Sequence, residues 1–155
     1  MSLEQVRLYL SRWARDKDII DLADSIATVE LAARALKVEP ERIAKSISLR
    51  CDNDAMMLVT SGDMKLDNRK FREEFGFKPR MLSHEEALKH TGHAIGGVCP
   101  FALPDKVKVY LDSSLKRFTT VFPACGDDNS AIELSPAELE EYSRCLAWVD
   151  VCVSN

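Results

Sequence analysis

Lys45 is a first candidate for chemistry, because it follows the apolar pair Ile43-Ala44 and precedes Ser46-Ile47. A lysine at such a junction between a helix and a strand can point into a cleft, where its ammonium binds an anion or polarises a carbonyl. The position also suits a surface lysine whose stem covers apolar residues while its charge stays in water. Spacing alone leaves both interpretations open.

A second candidate is the stretch 91–100, which holds three glycines and a proline within nine residues. Gly96 and Gly97 allow the backbone to approach a ligand closely, and free N–H groups in such a loop can hold a carbonyl oxygen or a carboxylate. The pattern is neither a Walker loop nor a dinucleotide-binding fingerprint, and a purely structural loop is the alternative. The residues predicted to bind substrate are His93, Gly96, Gly97, Val98, Cys99, Pro100 and Phe101.

The histidines and cysteines do not have the spacing of a metal site. His84, His90 and His93 lack the H-E-x-x-H arrangement, and no cysteine stands at ligand spacing, so we expect no metal and no cofactor. Cys99 would act as a nucleophile only with a neighbouring base, which the sequence does not reveal. The five cysteines are odd in number and include no Cys-x-x-Cys pair, which favours reduced thiols.

Helices and short strands must position these residues. Apolar residues at helical spacing and capping residues predict helices after Ser2, Thr28, Asp67, Ser83 and Ser135, with a short helical turn at Pro40. Alternating residues predict a hairpin over 46–60, and further strands are predicted at 19–22, 107–111, 118–122, 132–134 and 148–153. Short, hairpin-like strands interleaved with helices favour a mixed α+β fold over a doubly wound parallel sheet.

Composition indicates a small soluble protein. The chain has 155 residues, of which 46% are hydrophobic and 30% charged, so we expect a single domain over residues 1–155. No apolar run approaches the roughly 20 residues that cross a bilayer, and the polar start does not resemble a signal peptide. We therefore expect a cytoplasmic location, with neither a membrane nor DNA as a partner.

The charge pattern limits how nucleic acid could bind. A net charge of −4 argues against wrapping a long stretch of backbone, although the end of an RNA could still be contacted. Basic residues outnumber acidic ones between Lys65 and Lys89. Within that stretch Arg69, Lys70 and Arg72 share one predicted helix and are our candidates for contacting an RNA end. A solvated helix face is the alternative.

Four motifs in order resemble the YbaK family of aminoacyl-tRNA editing domains, which includes free-standing relatives of the insertion domain of bacterial prolyl-tRNA synthetase. The motifs are Ser25-Ile26-Ala27-Thr28-Val29-Glu30, Ile43-Ala44-Lys45-Ser46, Thr91-Gly92-His93-Ala94-Ile95-Gly96-Gly97-Val98-Cys99-Pro100-Phe101 and Ala131-Ile132-Glu133-Leu134-Ser135-Pro136-Ala137-Glu138-Leu139. The resemblance implies a mixed, barrel-like sheet surrounded by helices.

The resemblance also implies a reaction, which is hydrolysis of the ester in mischarged tRNA, commonly tRNA(Pro) carrying a small amino acid. The family's key lysine matches Lys45, and its Gly-x-x-Pro loop matches Gly97-Val98-Cys99-Pro100. The implied partners are the acceptor end of mischarged tRNA and prolyl-tRNA synthetase.

Two departures from the family pattern bear on activity and specificity. Ala102 stands where relatives often have glycine, and Ala131 where members acting on cysteine carry an acidic residue. The second departure favours alanine or 2-aminobutyrate over cysteine as the amino acid removed. A non-catalytic module that binds the tRNA end or a synthetase, and a hydrolase of another small ester or amide, are the alternatives.

Overall fold

The computed structural model describes residues 2–155, which form five α-helices and nine β-strands. The helices are α1 (Ser2–Leu10), α2 (Val29–Leu36), α3 (Asn68–Phe75), α4 (His84–Thr91) and α5 (Pro136–Ser143). The strands are β1 (Ile20–Asp21), β2 (Ile43–Cys51), β3 (Asp54–Ser61), β4 (Met64–Leu66), β5 (Lys108–Asp112), β6 (Phe122–Pro123), β7 (Ser130–Ala131), β8 (Ala147–Val149) and β9 (Cys152–Ser154). This confirms the predicted mixed α+β fold.

The centre of the fold is a mixed sheet with the strand order β6-β2-β3-β5-β8. The hairpin of β2 and β3 is antiparallel, and all other neighbours in this sheet run parallel. Its turn places Asp52 at φ +54°, a left-handed conformation that a short polar side chain tolerates. The pairs β1–β7 and β4–β9 form separate two-stranded sheets, so within residues 2–155 the strands do not close into a barrel.

The predicted helix boundaries are confirmed by their capping contacts. The Thr28 hydroxyl accepts a hydrogen bond from the Leu31 N–H at 3.2 Å, and Asp67 caps α3 in the same way. Ser83 and Ser135 each form the complete capping box that their sequence motifs predict. Within residues 2–155 no helix has both the length and the apolar character needed to cross a bilayer.

Buried side chains pack on both faces of the central sheet. One face carries Met57 and Val59, and it is covered by α1, α5 and the segment containing Phe101. The opposite face carries Met56 and Leu58 and is covered by α3 through Phe71. A third group of buried residues joins α2 to the β6 edge of the sheet.

Four predicted strands are shorter or more broken than their sequence suggests. The strand predicted at 19–22 is reduced to the two residues of β1. Of 118–122 only the last residue belongs to β6, whose second residue, Pro123, has no N–H to extend a ladder. The stretch 132–134 is held by an isolated bridge between Val121 and Leu134. The stretch 148–153 is divided between β8 and β9, because the Val151 N–H donates to the Asp112 carboxylate at 3.0 Å.

Ala102 adopts a left-handed conformation with φ +55°, which explains why glycine suits this position. An L-residue there is strained by about 1–2 kcal/mol. Ala102 packs against the main core and is not part of the cleft described below. Alanine in place of glycine at position 102 therefore adds backbone strain and does not change the lining of the cleft.

We expect Ala102→Gly to stabilise the fold by about 0.5 kcal/mol, because relief of strain exceeds the extra entropy that glycine gives the unfolded chain. The control, Ala35→Gly inside α2, should destabilise by about 1 kcal/mol. Urea unfolding of both variants measures these changes. Equal destabilisation by the two variants would contradict the argument from φ.

Candidate active site

A cleft of about 330 Å³ opens along the outer edge of β2, and we call it the β2 cleft. Its lining comprises Ile26, Ala27, Thr28, Val29, Ala32 and Leu36 from the α2 region, Ile43, Ala44, Lys45, Ser46, Ile47 and Ser48 from β2, and Met81, Leu82, Ile95, Gly96, Val98, Phe122, Ala124 and Ala131. Most of these side chains are apolar. Among the residues that the structure describes, no Asp, Glu or His lines the cleft.

Lys45 is the one charged residue in this lining. Its side chain is half-buried, and its ammonium donates a hydrogen bond to the Met64 carbonyl at 2.5 Å. Burial lowers the pKa of Lys45, while the negative charges of Glu30 and Asp63 oppose this shift. The ammonium has several N–H donors, so contact with Met64 leaves others for a ligand.

An ion pair fixes the carbonyl that Lys45 contacts. Arg117 holds both carboxylate oxygens of Asp63, at 2.6 and 3.1 Å, and donates to the Ser61 hydroxyl at 2.8 Å. The hydrogen bond from Arg117 lowers the pKa of Asp63. Because Asp63 directly precedes Met64, this pair anchors the turn that presents the carbonyl to Lys45.

The stretch 91–100, here called the glycine loop, contributes Gly96 and Val98 to the cleft. Gly96 has φ +99°, a left-handed conformation that favours glycine. A Cβ on Gly97 would lie 2.6 Å from backbone atoms of Gly126 and Asp127, so close packing requires glycine there. The Gly97 N–H donates to the Ala94 carbonyl at 3.0 Å and is therefore already engaged within the loop.

Three of the predicted substrate-binding residues, in or next to the glycine loop, have side chains that are buried in the core. His93, Cys99 and Phe101 are fully buried and do not line the β2 cleft. The His93 Nε2–H donates to the Phe101 carbonyl at 2.8 Å, and its Nδ1 accepts from the Ser2 hydroxyl. Pro100 lines a separate, smaller cavity of about 200 Å³. Of the predicted set, only Lys45, Gly96 and Val98 meet in one cleft.

Cys99 lies beside a base but is not activated by it. Its sulfur is 3.5 Å from His93 Nε2, but this nitrogen carries the proton that it donates to the Phe101 carbonyl and cannot accept one from the thiol. Burial raises the pKa of Cys99 to about 12 and lowers that of His93, so both groups are held neutral. Within residues 2–155 no group of three or more potential metal ligands occurs.

The basic residues of α3 lie outside the β2 cleft. Arg69 is exposed and pairs with Glu73 at 3.2 Å. Lys70 contacts Asp150 and also donates to the Cys152 carbonyl at 3.1 Å, which is in β9. For Arg72 the described part of the chain shows no ion pair. Lys70 therefore contacts β9, and Lys45 contacts β4. Because β4 pairs with β9, the two lysines contact neighbouring strands of the same two-stranded sheet.

Sequence reasoning missed Ser46 and Ala131 as cleft residues. Ser46 and Ser48 alternate with the larger residues of β2, and such small polar residues in an apolar strand are the available signal. Ala131 was noticed for its difference from relatives, and the structure places its buried side chain in the cleft lining. An acidic residue at 131 would place a carboxylate in this apolar lining.

The comparisons with known proteins agree on one family. The model of the aminoacyl-tRNA editing domain matches residues 23–142. Uncharacterized protein YwhH of Bacillus subtilis (strain 168) is 56% identical over 153 residues, 98% of each chain. Proline--tRNA ligase of Kosmotoga olearia is 34% identical over 92 residues, which are 59% of this chain but only 16% of the ligase.

A solved structure resembles the whole fold. It is provisionally described as a trans-editing enzyme for prolyl tRNA synthetase, is 27% identical in sequence and superposes with a TM-score of 0.88. The match covers 99% of this chain and 98% of that one.

We expect the partly exposed Cys51 to react most readily with Ellman's reagent in the native protein at pH 8. Cys145 is also partly exposed, but burial raises its pKa, so it should react more slowly. Cys99, Cys125 and Cys152 are buried, and burial raises the pKa of each, so they should react only after unfolding. Mass spectrometry of the labelled peptides identifies the sites. Rapid labelling of Cys99 in the native state would restore it as a candidate nucleophile.

Proposed function

Because this chain belongs to the aminoacyl-tRNA editing domain family, we propose that it is a trans-editing deacylase that hydrolyses the ester of mischarged tRNA. The resemblance noted in the sequence motifs is thus confirmed at the level of the family. We further propose tRNA(Pro) as the substrate, carrying alanine or 2-aminobutyrate in preference to cysteine. The likeness to a proline--tRNA ligase and to a described trans-editing enzyme supports the choice of tRNA(Pro), and the choice of amino acid rests on Ala131.

The observation that carries the proposal is a half-buried ammonium at an apolar cleft. Lys45 is the charged residue of the lining, and its ammonium is held in place by Met64. In a partly desolvated site a fixed positive charge interacts strongly with a carbonyl oxygen that gains negative charge. We assign Lys45 to the ester carbonyl or to the adjoining end of the RNA.

The proposed reaction needs positioning more than a strong nucleophile. Water attacks the carbonyl carbon, the bond to the ribose oxygen breaks, and the proton of water passes to that oxygen, giving a free amino acid and an uncharged tRNA. The residues described in the cleft include no carboxylate or imidazole to act as general base. A neighbouring hydroxyl of the terminal ribose can relay the proton, so the substrate supplies that function.

The cleft also supports selection of a small amino acid. Its walls near the glycine loop are formed by short or branched apolar side chains, including Ile26, Val98 and Ala131. A closed apolar wall rejects larger side chains sterically, but it discriminates weakly between side chains of nearly equal size. A partner such as prolyl-tRNA synthetase would therefore supply part of the tRNA selectivity.

Deacylation of a panel of charged tRNAs tests this proposal directly. We expect release of alanine and 2-aminobutyrate from tRNA(Pro), slower release of cysteine and sparing of Pro-tRNA(Pro). Binding without hydrolysis of any charged tRNA would indicate a non-catalytic module. Hydrolysis of simple esters in place of aminoacyl-tRNA would indicate a different hydrolase.

We expect Lys45→Met to reduce deacylation by about 100-fold or more, because it removes the charge while preserving most of the side-chain volume. Lys108→Met is the matched control, since Lys108 is an exposed lysine on β5 of the same sheet. Initial rates and thermal unfolding of both variants should be compared. A normal rate in the folded Lys45 variant would refute the role.

We expect Arg72→Ala to weaken binding of the tRNA acceptor end and to reduce the slope of log K against log salt by about 1. Its charge is exposed, whereas Arg69 and Lys70 are already paired with Glu73 and Asp150. Lys17→Ala removes an equal exposed charge elsewhere and should leave the slope unchanged. If the wild type, Arg72→Ala and Lys17→Ala gave equal salt slopes, α3 would not be part of the tRNA-binding surface.

A further inference from the structure

The outer edge of β2 has a gap in its hydrogen bonding, and this gap faces the cleft. On one side of the gap β2 pairs with β6 at Ile43 and Ala44. On the other side the Arg50 N–H donates to Arg80 at 2.9 Å, and the Ser48 carbonyl accepts from Leu82 at 3.2 Å. Between these two contacts lies Ser46, which lines the cleft.

The backbone of Ser46 points away from β3 and toward the cleft. In an antiparallel pair, alternate residues direct both N–H and C=O to the same side. Arg50 and Ser48 bond on the outer side, so Ser46, at the next alternate position, directs both groups outward as well. Because neither group has a backbone partner on that side among residues 2–155, Ser46 offers one donor and one acceptor at the spacing of a strand.

The side chain of Ser46 provides a second, independent observation. Its hydroxyl oxygen is buried and has no hydrogen-bond partner in the described part of the chain. A buried hydroxyl without a partner destabilises a fold by about 1–3 kcal/mol. Ser143, by comparison, is buried and donates to the Glu140 carbonyl at 3.4 Å. An unsatisfied hydroxyl in the lining of a cleft indicates a polar ligand.

We propose that the aminoacyl group of the substrate docks on Ser46 as a single antiparallel strand residue. The Ser46 N–H donates to the ester carbonyl, and the Ser46 carbonyl accepts from the α-ammonium. These two bonds are the pair that opposed residues exchange in an antiparallel ladder. The Ser46 hydroxyl contacts the same polar end of the substrate. This inference rests on the proposed function and identifies the residue that recognises the amino acid's backbone.

Docking on Ser46 orients the ester relative to the other cleft residues. Lys45 precedes Ser46 in the strand and directs its side chain to the opposite face of the sheet. The ester carbonyl would be polarised by the Ser46 N–H, and Lys45, which also lines the cleft, would then act on the adjoining end of the RNA. The amino-acid side chain would extend from the strand edge toward the apolar lining. The strand edge would therefore recognise the α-ammonium, and the apolar lining would recognise the amino-acid side chain.

The first test removes the hydroxyl and compares stability with activity. Ser46→Ala should lower kcat/KM for deacylation by about 10-fold, while its stability to urea stays equal or rises because an unsatisfied group is removed. Ser46→Thr, which retains a hydroxyl on a strand-compatible side chain, should recover most of the rate. Ser143→Ala is the control and should leave the rate unchanged. A normal rate in Ser46→Ala would overturn the role of the hydroxyl.

The second test detects binding without catalysis. A non-hydrolysable adenosine bearing alanine through a 3′-amide should shift the ¹⁵N–¹H signal of Ser46, and the same compound without the α-amino group should bind about 10-fold more weakly. An unshifted Ser46 amide, or equal binding of the two compounds, would overturn the docking model. If the wild type hydrolyses no charged tRNA while the Ser46 amide still shifts, the proposed function fails and the docking site stands.

Discussion

The β2 cleft depends on incomplete pairing of a single strand. From Ala44 to Cys51, β2 is bonded to β3 along one edge, which fixes its register and its twist. Within residues 2–155 its other edge is paired at the two ends alone, by β6 and by the residues around Met81. Polar backbone groups inside a protein need partners, so an edge left open next to apolar walls is a place where a polar ligand gains affinity.

Residues outside the cleft hold the ammonium of Lys45 in position. Moving an ammonium out of water is unfavourable unless its donors find acceptors, and the Met64 carbonyl supplies one. That carbonyl follows a turn which Asp63 and Arg117 hold through two hydrogen bonds. The lysine therefore keeps its position before substrate arrives, and little reorganisation is needed when charge develops on a carbonyl oxygen.

The sequence predicted the helix starts and the hairpin, because these depend on residues that are close together in the chain. Capping residues such as Thr28 and Ser83 marked helix starts, and alternation marked the hairpin, because each depends on neighbours in the chain. The burial of His93 and Cys99 could not be read in this way, since the same residue types suit both a loop at a pocket and a packed core. The strand edge at Ser46 also required the tertiary arrangement, because it is defined by what β6 and Met81 leave uncovered.

The glycine loop shows how a motif can shape a cleft through its own packing. Gly97 is required by the close approach of Gly126, and its N–H is used inside the loop. Buried His93, near the start of the loop, donates to the carbonyl of Phe101, which directly follows the loop, and so links its two ends. These contacts place Val98 and Gly96 opposite the strand edge, so the loop forms a wall while β2 supplies the polar groups. A loop with such packing constraints tolerates few substitutions for structural reasons alone, so its sequence pattern could not show which of its residues face the cleft.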